Sequence, residues 1–244
     1  MGGPEESKFK NKKETLVLIG TTILCYSSAS LKLLTFLIIT VCLVPAYFFG
    51  KVVKELKPDV EFDFFVKRVW SALGLWLCRI NVEVYGQNFQ TADVYVSNHV
   101  SWLDILVFNK ILDLSFVAKA EVKGWFGLGF LARLADTVFV HRKVMAAKKQ
   151  QIDLAHALNS RKKICFFPEG TSSNGSTVLP FKSSLFEAFV NFRKSNRLGV
   201  LIQPVTLVYK HSDQKNPFIY GWWGEMSLIP HIFDVLANSK AGTV

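Results

Sequence analysis

The sequence predicts an α/β fold: a largely parallel central sheet flanked by helices, with an N-terminal apolar two-helix membrane anchor. Three observations predict it. From Val82 onward, apolar strand-like runs alternate with helical stretches, the pattern of a parallel sheet with crossover helices. From Leu16 to Phe49 the chain is almost entirely apolar, with Lys32 as its only charge. Half of the 244 residues are apolar and 20% are charged, at a mean hydropathy of +0.25. That is too apolar for an ordinary soluble protein and too charged for a polytopic transporter. The same numbers exclude disorder, which needs low hydrophobicity and high charge.

The elements follow in order. The first 14 residues are polar and carry Lys8, Lys10, Lys12 and Lys13. In the apolar region the Ser27, Ser28 and Ser30 cluster separates a short piece, Leu16 to Tyr26, from a longer one, Leu33 to Phe49. The longer piece, as a straight helix, reaches about 26 Å, slightly short of a hydrocarbon core of about 30 Å. Lys51, Lys54 and Lys57 follow. Lysines at both ends place both ends on the cytoplasmic side, which a hairpin satisfies and a single span does not. A cleaved signal peptide is the alternative, against which stand the length of the apolar run and the absence of paired cysteines. Residues 1–60 are expected to be the anchor and 61–244 the α/β domain.

Phe65, Val69, Leu73 and Trp76 recur at helical spacing within Phe62 to Ile80, an amphipathic helix that lies on the bilayer or caps the core. Strands are expected at Val82–Tyr85, Val94–Ser97, Phe116–Ala118, Thr137–Val140, Ile164–Phe167, Val200–Val208 and Phe218–Trp222. Helices are expected at Ser101–Leu112, Val122–Leu134, Val144–Asn159, Ser184–Lys194 and Ser227–Leu236. In such sheets chemistry gathers where strands hand over to loops at their carboxyl ends.

Two of these transitions carry reactive residue types. His99 leaves the strand Val94–Ser97, and Ser101 and Asp104 have the spacing of a helix N-cap and its N3 residue. On a continuous helix His99 and Asp104 would point about 140° apart, so only a bend before the helix brings them together. A carboxylate on one imidazole nitrogen fixes the tautomer and leaves the other as a base near neutral pH. The alternative is a capping aspartate beside an ordinary surface histidine. The second transition is Phe166-Phe167-Pro168-Glu169-Gly170-Thr171-Ser172-Ser173-Asn174-Gly175. Here Gly170 allows close backbone approach, exposed amides and hydroxyls suit a phosphate, and Glu169 can bond substrate hydroxyls. The alternative is an ordinary turn, which Asn174-Gly175 signals by itself.

Together, His99-x4-Asp104 and the following FPEGTS run resemble the glycerolipid acyltransferase family, the 1-acylglycerol-3-phosphate acyltransferases. Val138-Phe139-Val140-His141-Arg142, Ile202-Gln203-Pro204-Val205 and Lys119-Ala120-Glu121 resemble further blocks of that family, in order. The resemblance covers roughly residues 80 to 235, and the apolar N-terminus is similar to the family's two-helix membrane segment. It implies acyl transfer from acyl-CoA or acyl carrier protein to a lysophospholipid hydroxyl, first of all 1-acylglycerol-3-phosphate giving phosphatidic acid. It assigns His99 and Asp104 to catalysis. Arg142, Glu169, Gly170 and Thr171, with Lys119 and Lys182, are the candidates for acceptor and phosphate binding. No metal and no cofactor is expected, the thioester being a co-substrate. The expected partners are the lipid bilayer, the lysolipid and the thioester carrier, not nucleic acid. The catalytic body is expected on the cytoplasmic face, at the inner membrane if the protein is bacterial.

Two departures from the family pattern matter. Many members carry Arg after Glu-Gly-Thr, where this chain has Ser172. That removes a guanidinium suited to phosphate and points to another lysolipid, such as a lyso-ornithine lipid, as the alternative acceptor. The chain also stops at Val244, soon after the Ser227–Leu236 helix, where relatives often continue into another strand. Outside acyl transfer, a serine esterase would want a G-x-S-x-G elbow, and the sequence has none. A non-catalytic basic module binding membrane accounts for the net charge of +10 but leaves the FPEGTS loop without a purpose.

Overall fold

The structure is a computed structural model and describes residues 4–87, 91–140, 162–183, 186, 200–212, 216–238 and 240–244, with side chains from Ile19 onward. In chain order its elements are α1 (Pro4–Leu56), α2 (Phe62–Leu77), β1 (Ile80–Asn81), β2 (Val94–Ser97), α3 (Leu103–Ile111) and β3 (Ser115–Lys119). A 3-10 turn (Ala120–Gly124), α4 (Leu128–Leu134), β4 (Val138–Val140), β5 (Ile164–Phe166), β6 (Ile202–Val205), β7 (Lys210–His211), α5 (Leu228–Ala237) and β8 (Gly242–Thr243) follow. The expected helix Val144–Asn159 and, apart from Ser183 before it and Phe186 within it, the helix Ser184–Lys194 lie outside the described residues. The chain divides into two compact units: residues 1–81, 211–219 and 225–243, and residues 82–210 and 220–224 with Val244.

In the first unit the apolar stretch is one continuous helix rather than two. The serines do not break α1 because hydroxyls inside a helix bond back to the carbonyl one turn earlier. Ser30 Oγ donates to Tyr26 O at 2.9 Å, and Thr35 and Thr40 do the same to Leu31 and Phe36. Within α1, the 38 residues Ile19–Leu56 include an 18-residue window of mean hydropathy 2.3, so the helix is long and apolar enough to cross a membrane. The return helix is α2, whose amphipathic face packs on α1. Trp70 Nε1 donates to Thr40 Oγ1 at 2.9 Å, its ring stacks on Phe36 at 5.2 Å, and Lys54 pairs with Asp63 at 3.2 Å. Phe65 and Trp76 stay exposed on the opposite face of α2. Helix α5 joins α1 as well, through Tyr26 to Asp234 at 2.8 Å and Lys32 to the Leu236 carbonyl at 2.7 Å. Strand β1 pairs in parallel with β8.

The second unit holds a five-stranded sheet of order β4-β3-β5-β2-β6, parallel throughout. The central strands β2 and β5 are buried at every position, as strands covered on both faces must be. Val94, Val96, Ile164 and Phe166 form the core, joined by Val117, Val138, Phe186 and Val200. Register places Val94 opposite both Ile164 and Ile202, so β2, β5 and β6 start level with one another.

Four expected elements differ. The strand expected at Val82–Tyr85 is confined to Ile80–Asn81, before it. The strand expected at Val200–Val208 ends at Val205, because the chain then turns to Asn98, whose Oδ1 accepts the Leu207 amide at 2.8 Å. Phe218–Trp222 is a turn and loop, not a strand. Val122–Leu134 is broken by Gly127 at φ +69°, a conformation that favours glycine, and splits into the 3-10 turn and α4.

Candidate active site

A parallel sheet delivers the carboxyl ends of its strands to one edge, and β2 lies between β5 and β6. His99 after β2 is therefore flanked by the Pro168–Ser173 loop after β5 and by residues 206–209 after β6. The bend that the sequence required is present and is folded around Asp104. That carboxylate is fully buried. Its Oδ2 accepts His99 Nδ1–H at 2.7 Å, the Val100 amide at 2.8 Å and the Ser101 amide at 3.1 Å. Helix α3 begins at Leu103, two residues later than the capping pattern indicates, and the Ser101 hydroxyl is buried without a hydrogen-bond partner among the described residues. Only one half of the capping box forms, the one in which the residue-104 carboxylate reaches back to the amide of residue 101.

With two backbone amides already donating to it, Asp104 serves His99 as an acceptor, so Nδ1 carries the proton and Nε2 the lone pair. The imidazole lies flat on Phe167, with ring centroids 4.1 Å apart and planes 14° apart. Phe167 is the last residue before Pro168, so the strand that carries the FPEGTS run also supports the ring. The His99 side chain remains 20% exposed, and among the described residues its Nε2 has no hydrogen-bond partner.

Glu169 is 2% exposed, and both its oxygens take backbone amides: Oε1 from His99 at 2.8 Å and Oε2 from Leu179 at 2.9 Å. Its contacts tie the two motif loops together. Gly170 sits at φ +69° at the close of the Phe167–Gly170 turn, and a Cβ there would stand 2.8 Å from Lys182 Nζ. The absence of a side chain thus lets the Lys182 amine lie over the turn, while the Lys182 amide is held by the Pro168 carbonyl at 2.9 Å. Thr171 is exposed. Lys119 closes β3, next to β5, and is half-buried. Arg142 lies outside the described residues.

Ser172 donates its hydroxyl to the Trp222 carbonyl, and the Trp222 amide donates to Val100 O at 2.9 Å. Ser173 N–H donates to His99 O at 2.9 Å. The loop around Trp222 therefore ties to the histidine loop and to the FPEGTS loop, a role the sequence did not disclose. Tyr209 was missed as well: its hydroxyl donates to Asp104 Oδ1 at 2.7 Å. Its signal was position alone, just beyond a parallel strand, as for His99 and Glu169. Asn98, beside His99, fixes that segment by donating to Leu207 O and accepting from Leu207 N. Cys165, below the site on β5, is fully buried, and burial with the charge of Asp104 pushes its thiol well up, so it stays neutral.

The parallel sheet and the buried His–Asp pair at its carboxyl edge define a class, and the comparisons agree with it. The acyltransferase family model matches residues 81–208, just over half of the chain. The chain belongs to that family. A lyso-ornithine lipid O-acyltransferase of Rhodobacter capsulatus is 38% identical over 183 residues, covering 72% of this chain and 66% of that protein. A 1-acyl-sn-glycerol-3-phosphate acyltransferase of Neisseria gonorrhoeae is 36% identical over 100 residues, covering 39% of this chain and 38% of that protein. The crystal structure of the 1-acyl-sn-glycerophosphate acyltransferase PlsC from Thermotoga maritima shares the fold. Its TM-score is 0.51 at 23% identity, over 77% of this chain and 75% of that one. The chain spans just under two thirds of the length of the lyso-ornithine lipid acyltransferases it matches best among these.

Proposed function

We propose that the protein transfers a fatty acyl group from a thioester, acyl-CoA or acyl carrier protein, to the hydroxyl of a lysolipid. The observation that carries this reading is the His99 Nδ1–Asp104 contact of 2.7 Å to a fully buried carboxylate. Nε2 takes the proton of the acceptor hydroxyl as its oxygen bonds to the thioester carbonyl carbon. The tetrahedral intermediate then expels the thiolate, which receives that proton from Nε2. Asp104 keeps the tautomer and stabilises the transient imidazolium. A thioester is already activated, so no enzyme nucleophile is needed, in keeping with a Cys165 thiol held neutral by burial. Backbone amides, or Lys119, stabilise the oxyanion. Arg142, Gly170, Thr171 and Lys182 bind the acceptor headgroup, around a turn braced by Glu169. The scheme uses no metal and no resident cofactor.

Helix α1 holds the protein on the bilayer where acceptor and product reside, with the catalytic unit on the cytoplasmic face. Lys51, Lys54 and Lys57 after the apolar run and the net charge of +10 favour that leaflet and its anionic lipids.

The first acceptor reading is 1-acylglycerol-3-phosphate. A second rests on Ser172, which anchors the loop to Trp222 where many members carry a phosphate-binding arginine. It is also supported by similarity to lyso-ornithine lipid O-acyltransferases. Thioester consumption in detergent with both acceptors, analysed by product mass, separates the two. A rate at least about tenfold higher on lyso-ornithine lipid, equal to about 1.4 kcal/mol in the barrier, establishes the second reading. The reverse ratio establishes the first. Absence of an acylated product with any lysolipid contradicts both.

A further inference from the structure

We propose that Tyr209 is a positioning residue that sets the base strength of His99 through Asp104. The inference rests on the reading of His99 as general base and extends it to a side chain that never touches substrate. Asp104 is sealed from water, so its charge is shared only among the donors the fold supplies. Three of them crowd Oδ2, and on Oδ1 the Tyr209 hydroxyl donates at 2.7 Å. A phenol is a stronger acid than an amide and makes the stronger hydrogen bond to a carboxylate. Charge drawn toward Tyr209 is charge withdrawn from Oδ2, where the imidazolium would lean.

Tyr209 is held for this task. Its ring packs on Tyr220 at 5.9 Å, and the preceding segment is fixed by Asn98 on Leu207. The same arrangement makes the sign of the effect readable. Without the hydroxyl, the carboxylate charge concentrates on the His99 side, the imidazolium is favoured, and the histidine becomes a stronger but less available base at neutral pH. The other titratable groups around the pair stay in place when only an oxygen is removed. Glu169 remains on the His99 amide, Cys165 remains buried and neutral beneath, and the Lys182 amine remains over Gly170.

The test uses the full chain in detergent, with Tyr209→Phe beside the unaltered protein. The imidazole carbons of ring-labelled histidine are followed by NMR, His99 being assigned by the signal lost in His99→Gln. The expected result is an upward move of the His99 midpoint by about 0.5 pH or more, within the range that a lost hydrogen bond to a partner charge produces. The acid limb of kcat/KM for thioester consumption moves by the same amount, and KM for the lysolipid is unchanged on the plateau. Incorporation of 3-fluorotyrosine at position 209, a stronger donor, moves both in the opposite direction below pH 7.5 and guards against a Phe variant that folds poorly. A His99 midpoint that stays put in both variants overturns the inference. So does a rate loss equal at every pH, which marks a merely structural role. If the midpoint moves and the rate limb does not follow, the coupling holds and the base assignment is what fails.

Discussion

At the scale of single residues, the site is organised around one buried carboxylate more than around the histidine it serves. Asp104 collects an imidazole, two backbone amides and a phenol, and this shapes what a substitution does. Asp104→Asn keeps one oxygen for the imidazole and the amides, while its NH2 faces Tyr209, whose hydroxyl can turn to accept. The fold is thus expected to lose only about 1 kcal/mol, the scale of one ordinary hydrogen bond. The imidazolium, however, loses its counter-charge, and kcat is expected to fall by roughly 10²–10⁴, the worth of general base catalysis. KM for the acceptor should stay within about threefold, since Asp104 is sealed from the substrate side. Melting in detergent and steady-state kinetics check both halves. Collapse of stability with no separate rate effect would assign Asp104 to the fold alone.

His99 and Asp104 were legible because loop chemistry at a strand end is written locally, in six consecutive positions. Tyr209 was not, because the contact that defines it spans 105 residues and needs the strand order β5-β2-β6 to exist. Glu169 shows a different gap. Its place in the site was readable, but its two backbone partners were not, since nothing in a carboxylate's neighbours says whether it will face substrate or amides.

At the scale of elements, the sheet strands were readable where burial is complete, as in β2 and β5, and blurred at the edges. The Val200–Val208 run is mostly apolar, yet only Ile202–Val205 form the strand, and beyond it Leu207 is held by the Asn98 side chain of another loop. The N-terminal region misled for a simpler reason. Clustered serines look like an interruption in sequence, but in a helix each hydroxyl has a carbonyl within reach one turn back. The hairpin that the flanking lysines called for does not form within the apolar run: α1 runs unbroken from the Lys8–Lys13 cluster to Lys51 and Lys54, and the chain turns back only after it, at residues 57–61, into α2. The two helices approach tightly at Gly50, where a Cβ would meet the Asp63 backbone nitrogen at 2.6 Å. Backbone cannot give way as a flexible side chain can. Gly50→Val is therefore expected to cost about 1–3 kcal/mol by overpacking and to loosen the Lys54–Asp63 and Phe49–Phe62 contacts nearby. A lower melting temperature and faster proteolysis at residues 57–61 would show it. Unchanged stability would mean that the two helices do not approach so closely.

At the scale of the whole molecule, an apolar helix of membrane-crossing length and a net charge of +10 accompany a sheet whose carboxyl edge carries the His–Asp pair. The acceptor of a lysolipid acyltransferase is dissolved in the bilayer, so its enzyme gains by residing there and by attracting anionic headgroups. The chemistry itself requires only a base held in the correct tautomer beside an activated acyl donor. The most direct measurement is thioester consumption by the full chain in detergent with a lysolipid acceptor, for the unaltered protein and for His99→Ala. We expect the unaltered protein to release one thiol per acylated lipid. His99→Ala should lose this rate by on the order of 10²–10⁴ while keeping its circular dichroism and melting temperature. A folded His99→Ala variant that transfers acyl groups at the full rate would contradict the account.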